Sequence, residues 1–244
     1  MPAVFVHGVP ETPAVWESLI AELDRDDVVN LQLPGFGCPR PDGFAATKED
    51  YVAWLVGELE VRQDDGPIDL VGHDWGGGLV VRLVSTRPEL VRSWATDAAG
   101  LGHVDFEWHD LAKIWQKPGE GEDFWAQQLA QSPEERAALF ELFGVPHAGA
   151  LALAKPIDET MVSCVLDLYR SATDIGGEWA PDFHDVPKPG LVIVAADDDL
   201  GSSERTLEAA QRAGAAVEVI DGVAHWWPLQ DPTRGAAALS RFWV

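Results

Sequence analysis

The sequence predicts an α/β fold, a mostly parallel sheet of about six strands with helices packed on it. Three observations carry this expectation. Short, continuously apolar runs alternate with stretches of helical spacing, as expected when strands are buried on both faces. One of these runs, Ile68-Asp69-Leu70-Val71, passes through the tight glycine turn Gly72-His73-Asp74-Trp75-Gly76-Gly77 into a second apolar segment, a strand–turn–helix unit. The strand pattern then disappears between about Gly102 and Asp182, where only helical stretches remain.

The elements follow in order. Ala3–Val6 reads as the first strand, ending at His7-Gly8. A helix beginning near Thr12-Pro13 places Trp16, Leu19, Ile20 and Leu23 at helical spacing. Val28–Leu31 is the next strand, followed by the turn-forming loop Leu33-Pro34-Gly35-Phe36-Gly37. A helix over Lys48–Leu59 puts Val52, Leu55, Val56 and Leu59 on one face. Ser93–Thr96, Leu191–Ala195 and Ala216–Ile220 supply further strands. The expected division is a core domain of residues 1–101 and 184–244 with a helical cap over 102–183, inserted after the strand that ends near Thr96. Phe124–Ala130, Pro133–Phe143 and Glu159–Ala172 are its helical stretches. Its many aromatics, among them Trp108, Trp115, Trp125 and Tyr169, suit an apolar pocket over the carboxyl edge of the sheet, although most single aromatics in such a segment pack cap against core.

Composition narrows the function classes. The 244 residues are 46% hydrophobic and carry a formal charge of −24, from 17 Lys and Arg against 41 Asp and Glu. Such a surface repels nucleic acid and anionic lipid, so neither is an expected partner. Cys38 and Cys164 are too few for a disulfide scaffold. With no charged leader and no bilayer-length apolar run, a cytoplasmic location is expected. Oligomeric state is left open.

The glycine turn carries the chemistry. Gly-x-nucleophile-x-Gly is the elbow of α/β hydrolases, in which the missing Cβ atoms let strand and helix close around a strained residue. Its nucleophile position holds Asp74. A serine there makes acyl-enzymes, whereas a carboxylate attacks an sp3 carbon and becomes an alkyl ester. Asp197-Asp198-Asp199 follows the Leu191–Ala195 strand, and His225 follows the Ala216–Ile220 strand, in the order nucleophile, acid, histidine. His225 is the candidate general base. Asp199, furthest from its strand and freest to swing, is the preferred acid. Asp197 and Asp198 are expected to cap the next helix or face water, and Asp97 is a second candidate acid. A metal bound by three adjacent aspartates is a weak alternative, since oxygen-rich metal loops space their ligands.

The elbow together with His7-Gly8-Val9-Pro10-Glu11 resembles the epoxide hydrolase branch of the α/β-hydrolase superfamily, and is similar at the elbow to the haloalkane dehalogenases. The resemblance spans nearly the whole chain outside the cap. The family has two more strands before the His-Gly strand, which accounts for a smaller sheet here. The resemblance implies an oxyanion hole from the backbone N–H groups of Val9 and Trp75, with His7 and His73 in structural roles. It implies a cap tyrosine as acid, matched by Tyr169 in Leu166-Asp167-Leu168-Tyr169-Arg170. The family's other cap tyrosine is missing, because the remaining tyrosine, Tyr51, lies in an early helix. Trp108 or His109 would donate in its place, and Trp108, His109 and Trp115 are the expected pocket residues. The implied substrate is a small apolar or aromatic epoxide, opened to a vicinal diol with no cofactor and no metal.

Two alternatives stay open. A haloalkane dehalogenase would use the same Asp74 but needs a second halide donor beside Trp75. Val9 offers no side-chain donor, so a cap tryptophan would have to serve. A hydrolase-fold ligand receptor would have no need of Asp74, His225 and a trailing acid together. Fluoroacetate dehalogenases share the aspartate elbow but clamp their carboxylate with arginines beside the nucleophile. Trp75 and Gly78 stand there instead, which argues against a small carboxylate substrate.

Overall fold

A computed structural model describes residues 2–244. Its six strands are β1 (Ala3–Val6), β2 (Val28–Leu31), β3 (Asp69–Gly72), β4 (Ser93–Thr96), β5 (Gly190–Ala195) and β6 (Ala216–Ile220). They form one sheet of order β2-β1-β3-β4-β5-β6, with every neighbouring pair parallel. The expected α/β-hydrolase architecture is therefore present. β1, β3, β4 and β5 are buried along their whole length. This explains the unbroken apolar runs of β1 and β5, while the buried Asp69 of β3 accepts from Ser93 Oγ of β4 and from Arg92.

Register decides where the chemistry can gather. Val6 pairs with Gly72, and Gly72 with Thr96. These three strands end side by side, so His7, His73 and Asp97 leave the sheet at one edge. The turns after β5 and β6 reach the same edge, the place where open parallel sheets bind ligands.

Short helices α1 (Glu17–Ala21), α2 (Lys48–Glu60) and α3 (Trp75–Thr86) link the first four strands. The start of α2 follows from a capping box, in which Thr47 Oγ1 accepts from Asp50 N while Asp50 Oδ2 accepts from Thr47 N. α3 is almost wholly buried, as its Gly-Gly-Gly-Leu-Val-Val sequence requires. After the insertion come α10 (Ser203–Ala213), α11 (Trp227–Gln230) and α12 (Pro232–Phe242). The core sits around Phe5, Trp16, Trp94 and Trp227, each fully or almost fully buried.

Between β4 and β5 lie α4 (Asp110–Trp115), α5 (Glu120–Leu129), α6 (Pro133–Leu142), α7 (His147–Ala154), α8 (Glu159–Arg170) and α9 (Ile175–Trp179). This insertion is tied to the sheet layer by polar clamps. Arg40 pairs with Asp167 at 2.7 Å, Arg82 with Asp182 at 2.6 Å, and the buried Lys48 with Glu178 at 2.9 Å. Lys48 Nζ also donates to the carbonyl of Ser171. No described helix is long and apolar enough to cross a membrane.

Candidate active site

Asp74 caps the N-terminus of α3 at φ 50° and ψ −121°, a conformation that side chains rarely adopt and that costs about 1–3 kcal/mol. Its neighbours make that position possible. A Cβ on Gly8 would stand 2.5 Å from Asp74 Cβ, and one on Gly76 would stand 2.2 Å from the Val6 carbonyl oxygen. Glycine is therefore required at both positions for β1, β3 and α3 to approach so closely.

The two carboxylate oxygens of Asp74 are in different surroundings. Oδ1 accepts from Val9 N at 2.8 Å, and Oδ2 lies 3.5 Å from His225 Nε2. Burial raises the Asp74 pKa, but His225, His73 and the Trp75 backbone N–H outweigh it, so the net shift is downward and the group is a carboxylate. Both N–H groups expected to form an oxyanion hole thus act on this carboxylate. Trp75 gives a second donor as well: its indole Nε1 is buried and has no hydrogen-bond partner.

Behind His225 stands Asp198, with Oδ2 3.1 Å from Nδ1. This corrects the sequence-based choice of Asp199, which is exposed. The turn after β5 explains the difference. Asp198 N donates to Ala195 O, and Asp198 Oδ1 accepts from Leu200 N, so the carboxylate is folded back under the sheet edge. Neither Asp197 nor Asp198 caps the next helix, since Ser202 does. Burial lowers the His225 pKa, but Asp198 and Asp74 more than reverse this and raise it well above the usual histidine value.

Asp97, the other candidate acid, serves the elbow instead. Oδ1 accepts from Asp74 N at 2.9 Å, while Oδ2 meets His73 Nδ1 and accepts from Trp227 Nε1 at 2.6 Å. Glu11 completes a buried network: it is 0% exposed, lies 3.2 Å from His73 Nε2, and accepts from Gly8 N and Trp226 Nε1. Burial opposes charge on His73, yet Asp97 and Glu11 raise its pKa to about 10. His7 is the reverse case. Burial pulls its pKa down to about 4, and Nε2 accepts from Leu33 N at 3.0 Å. Both histidines therefore hold the strand ends in place. Glu11, Trp226 and Trp227 were not singled out from sequence, although Glu11 directly follows the His-Gly-Val-Pro run and the tryptophans directly follow His225.

Two adjoining cavities, one larger than the other, meet at Asp74, His225 and His109. The larger takes in Trp108, and the smaller takes in Trp115 and Tyr169. Tyr169 is 1% exposed, packed against Trp75, Trp108 and Trp115, and burial raises its pKa well above the usual tyrosine value. It is a protonated hydroxyl that hydrogen-bonds no protein acceptor among the described residues. His109 Nδ1 caps α4 by accepting from Ala112 N at 3.2 Å, and burial lowers its pKa, so the proton sits on Nε2. Trp108 Nε1 is committed to the carbonyl of Ala172 at 2.8 Å, which removes it as a donor to ligands. Glu11, His73 and His225 bring metal-type ligand atoms within 4.8 Å of one another, but each of those groups already faces an ion-pair partner.

The sequence profile described as the alpha/beta hydrolase family matches residues 3–239. The chain belongs to this family. It is 24% identical to an (E)-2-((N-methylformamido)methylene)succinate hydrolase of Acinetobacter baylyi, over 96% of this chain and 86% of that one. A haloalkane dehalogenase of Psychrobacter cryohalolentis is 31% identical over 54% of this hydrolase-family chain and 42% of its own length. Among solved structures, an epoxide hydrolase of Vigna radiata superposes with a TM-score of 0.76 at 19% identity, covering 99% of this chain and 90% of that one. That last likeness concerns the fold.

Proposed function

We propose that this hydrolase opens an epoxide to a vicinal diol through an alkyl ester on Asp74. The observation that carries the proposal is the pairing of a carboxylate at the elbow, Oδ1 held by Val9 N–H and Oδ2 facing His225, with the uncommitted Tyr169 hydroxyl on the same cavity. Asp74 Oδ2 attacks a ring carbon. The carbon–oxygen bond breaks, and its electron pair goes to the ring oxygen, which takes a proton from Tyr169 while His109 Nε2–H donates a hydrogen bond. An alkoxide is far more basic than phenolate, so this transfer is downhill even from a buried tyrosine.

Ester formation removes the charge of Asp74. One of the two carboxylates that keep His225 protonated is then gone, so the imidazolium gives up its proton, which replaces through solvent the one that Tyr169 lost, and the neutral imidazole is able to accept a proton. His225, oriented by Asp198, takes a proton from water that attacks the Asp74 carbonyl carbon. The N–H groups of Val9 and Trp75 stabilise the oxyanion. Its collapse breaks the bond between the Asp74 carbonyl carbon and Oδ2, the departing alkoxide takes the proton of the water-derived hydroxyl, and the diol leaves as the Asp74 carboxylate re-forms with His225 again protonated. The helical insertion acts as the cap that excludes bulk water.

A haloalkane dehalogenase is the second reading, favoured by the partnerless indole N–H of Trp75, which suits a departing halide. Trp115 and Trp125 have buried, unpartnered N–H groups as well. The deciding experiment incubates the protein with styrene-oxide-type epoxides and with bromoalkanes, scoring diol and bromide, with Asp74→Asn as the control. Diol without bromide supports the proposal. Bromide without diol replaces it with the dehalogenase, and unimpaired turnover by Asp74→Asn overturns both.

A further inference from the structure

The cavity that holds Asp74, His225 and Tyr169 also holds a cation that the chemistry above leaves unused. Arg136 lies in the first turns of α6, lines this cavity, and is 7% exposed. Among the described residues it is the only buried arginine. Nη1 donates to the carbonyl of Ile157 at 2.8 Å, whereas Nε is buried and has no hydrogen-bond partner. In a chain with 41 acidic residues, no described carboxylate forms an ion pair with it.

A buried charge without a counter-ion is costly, and proteins normally pair it. The Nε–Nη2 edge of a guanidinium presents two parallel N–H donors at the spacing of a carboxylate's two oxygens. Since Nη1 already serves Ile157, this is the edge that meets no protein acceptor. The surrounding walls are aromatic, with Trp115, Phe124, Trp125 and Phe140 on the same cavity. An aromatic or apolar body with an anionic end fits both features.

We propose that Arg136 anchors the substrate by its carboxylate, so that the natural substrate is an apolar organic acid whose reacting carbon meets Asp74. The class is chemically distinct from a small carboxylate gripped beside the nucleophile, because Arg136 belongs to the insertion and not to the elbow. Carboxylate and reacting carbon therefore occupy different parts of the molecule. The assignment of the reacting end rests on the proposed function, while the anion site does not.

The test uses unreactive probes, so its result is independent of whether Asp74 opens epoxides. 4-Phenylbutyrate and 4-phenylbutanamide are titrated into the protein at neutral pH and followed by tryptophan fluorescence and calorimetry. The expected result is that wild type prefers the acid by at least about tenfold, equivalent to roughly 1.4 kcal/mol. Arg136→Gln should lose that preference with amide binding unchanged, and Arg136→Lys should keep part of it. Equal affinity for acid and amide in the wild type, or no saturable acid binding at millimolar concentration, overturns the proposal whatever the variants do. A preference that survives intact in a folded Arg136→Gln protein overturns it as well, and reduces Arg136 to a brace for Ile157.

Discussion

Asp198 Oδ2 lies 3.1 Å from His225 Nδ1, while Asp199, one residue on, faces solvent. Substituting the two separately therefore has unequal consequences. Asp198→Asn leaves the imidazole without its charged partner and should slow turnover by roughly 10³–10⁴-fold, the scale seen when a triad acid is made neutral. Asp199→Asn should remain within about twofold of wild type, as surface changes usually do. Steady-state turnover checks both, and intact-protein mass spectrometry of Asp198→Asn should reveal an accumulated ester.

Tyr169 and His109 divide the handling of the departing oxygen. Tyr169→Phe should slow single-turnover ring opening by roughly 10²-fold, within the usual range for one general acid. His109→Asn preserves an acceptor for the Ala112 N–H at the start of α4 but removes Nε2–H from the cavity. Its expected effect is smaller, about tenfold. An unchanged opening rate in Tyr169→Phe would move the acid elsewhere.

The buried histidines set opposite limbs of the stability profile. His73 has a raised folded pKa of about 10, so its stabilisation is complete below the unfolded value near 6.5 and fades as pH climbs through about 10. His7 has a folded pKa depressed to about 4, so its contribution is present above about 6.5 and lost as pH falls toward 4. Thermal melts from pH 4 to 10.5 should fall at both ends. His73→Asn should flatten the alkaline limb and leave the His7 contribution on the acid side.

Much of the fold was legible because the strands are short, largely apolar runs set between turn-forming or charged residues. The observed β3 is displaced by one residue at each end from the expected Ile68–Val71, and β5 begins one residue before the expected Leu191. α7 escaped notice because Ala-Gly-Ala-Leu-Ala-Leu-Ala is apolar all round and has no amphipathic period. At the site, Asp74 and His225 stood out by motif and order. Three adjacent aspartates, however, are equivalent in composition, and only the backbone bonds of their turn select Asp198. Arg136 reads as surface in Pro-Glu-Glu-Arg, since nothing local records that α6 turns this residue inward. The bracing of the elbow by Glu11, His73 and Asp97 joins three separate strand ends and exists only once the sheet has assembled.

Lys48 is the buried hinge pin between α2 and the insertion, through Glu178 and Ser171. Lys48→Met should lower unfolding free energy by about 1–3 kcal/mol, given that its carboxylate partners are half exposed. Guanidinium denaturation measures this, and limited proteolysis should cut the 102–183 segment faster than in wild type. Equal resistance in both would show that the clamp does not hold the insertion down.

The bond from Val9 N to Asp74 Oδ1 gives the proposed reaction an isotopic memory. The oxygen delivered to the product comes from the protein's Oδ2, and the attacking water refills that position while Oδ1 stays tethered. In heavy-oxygen water the first diol from each molecule should be unlabelled, and the second should carry one heavy oxygen, in the hydroxyl delivered by Asp74. A carboxylate free to flip between turnovers would instead blend its two oxygens and spread the label over several cycles. Mass spectrometry of product from successive single turnovers distinguishes the two patterns, and so counts how often one backbone N–H releases its grip.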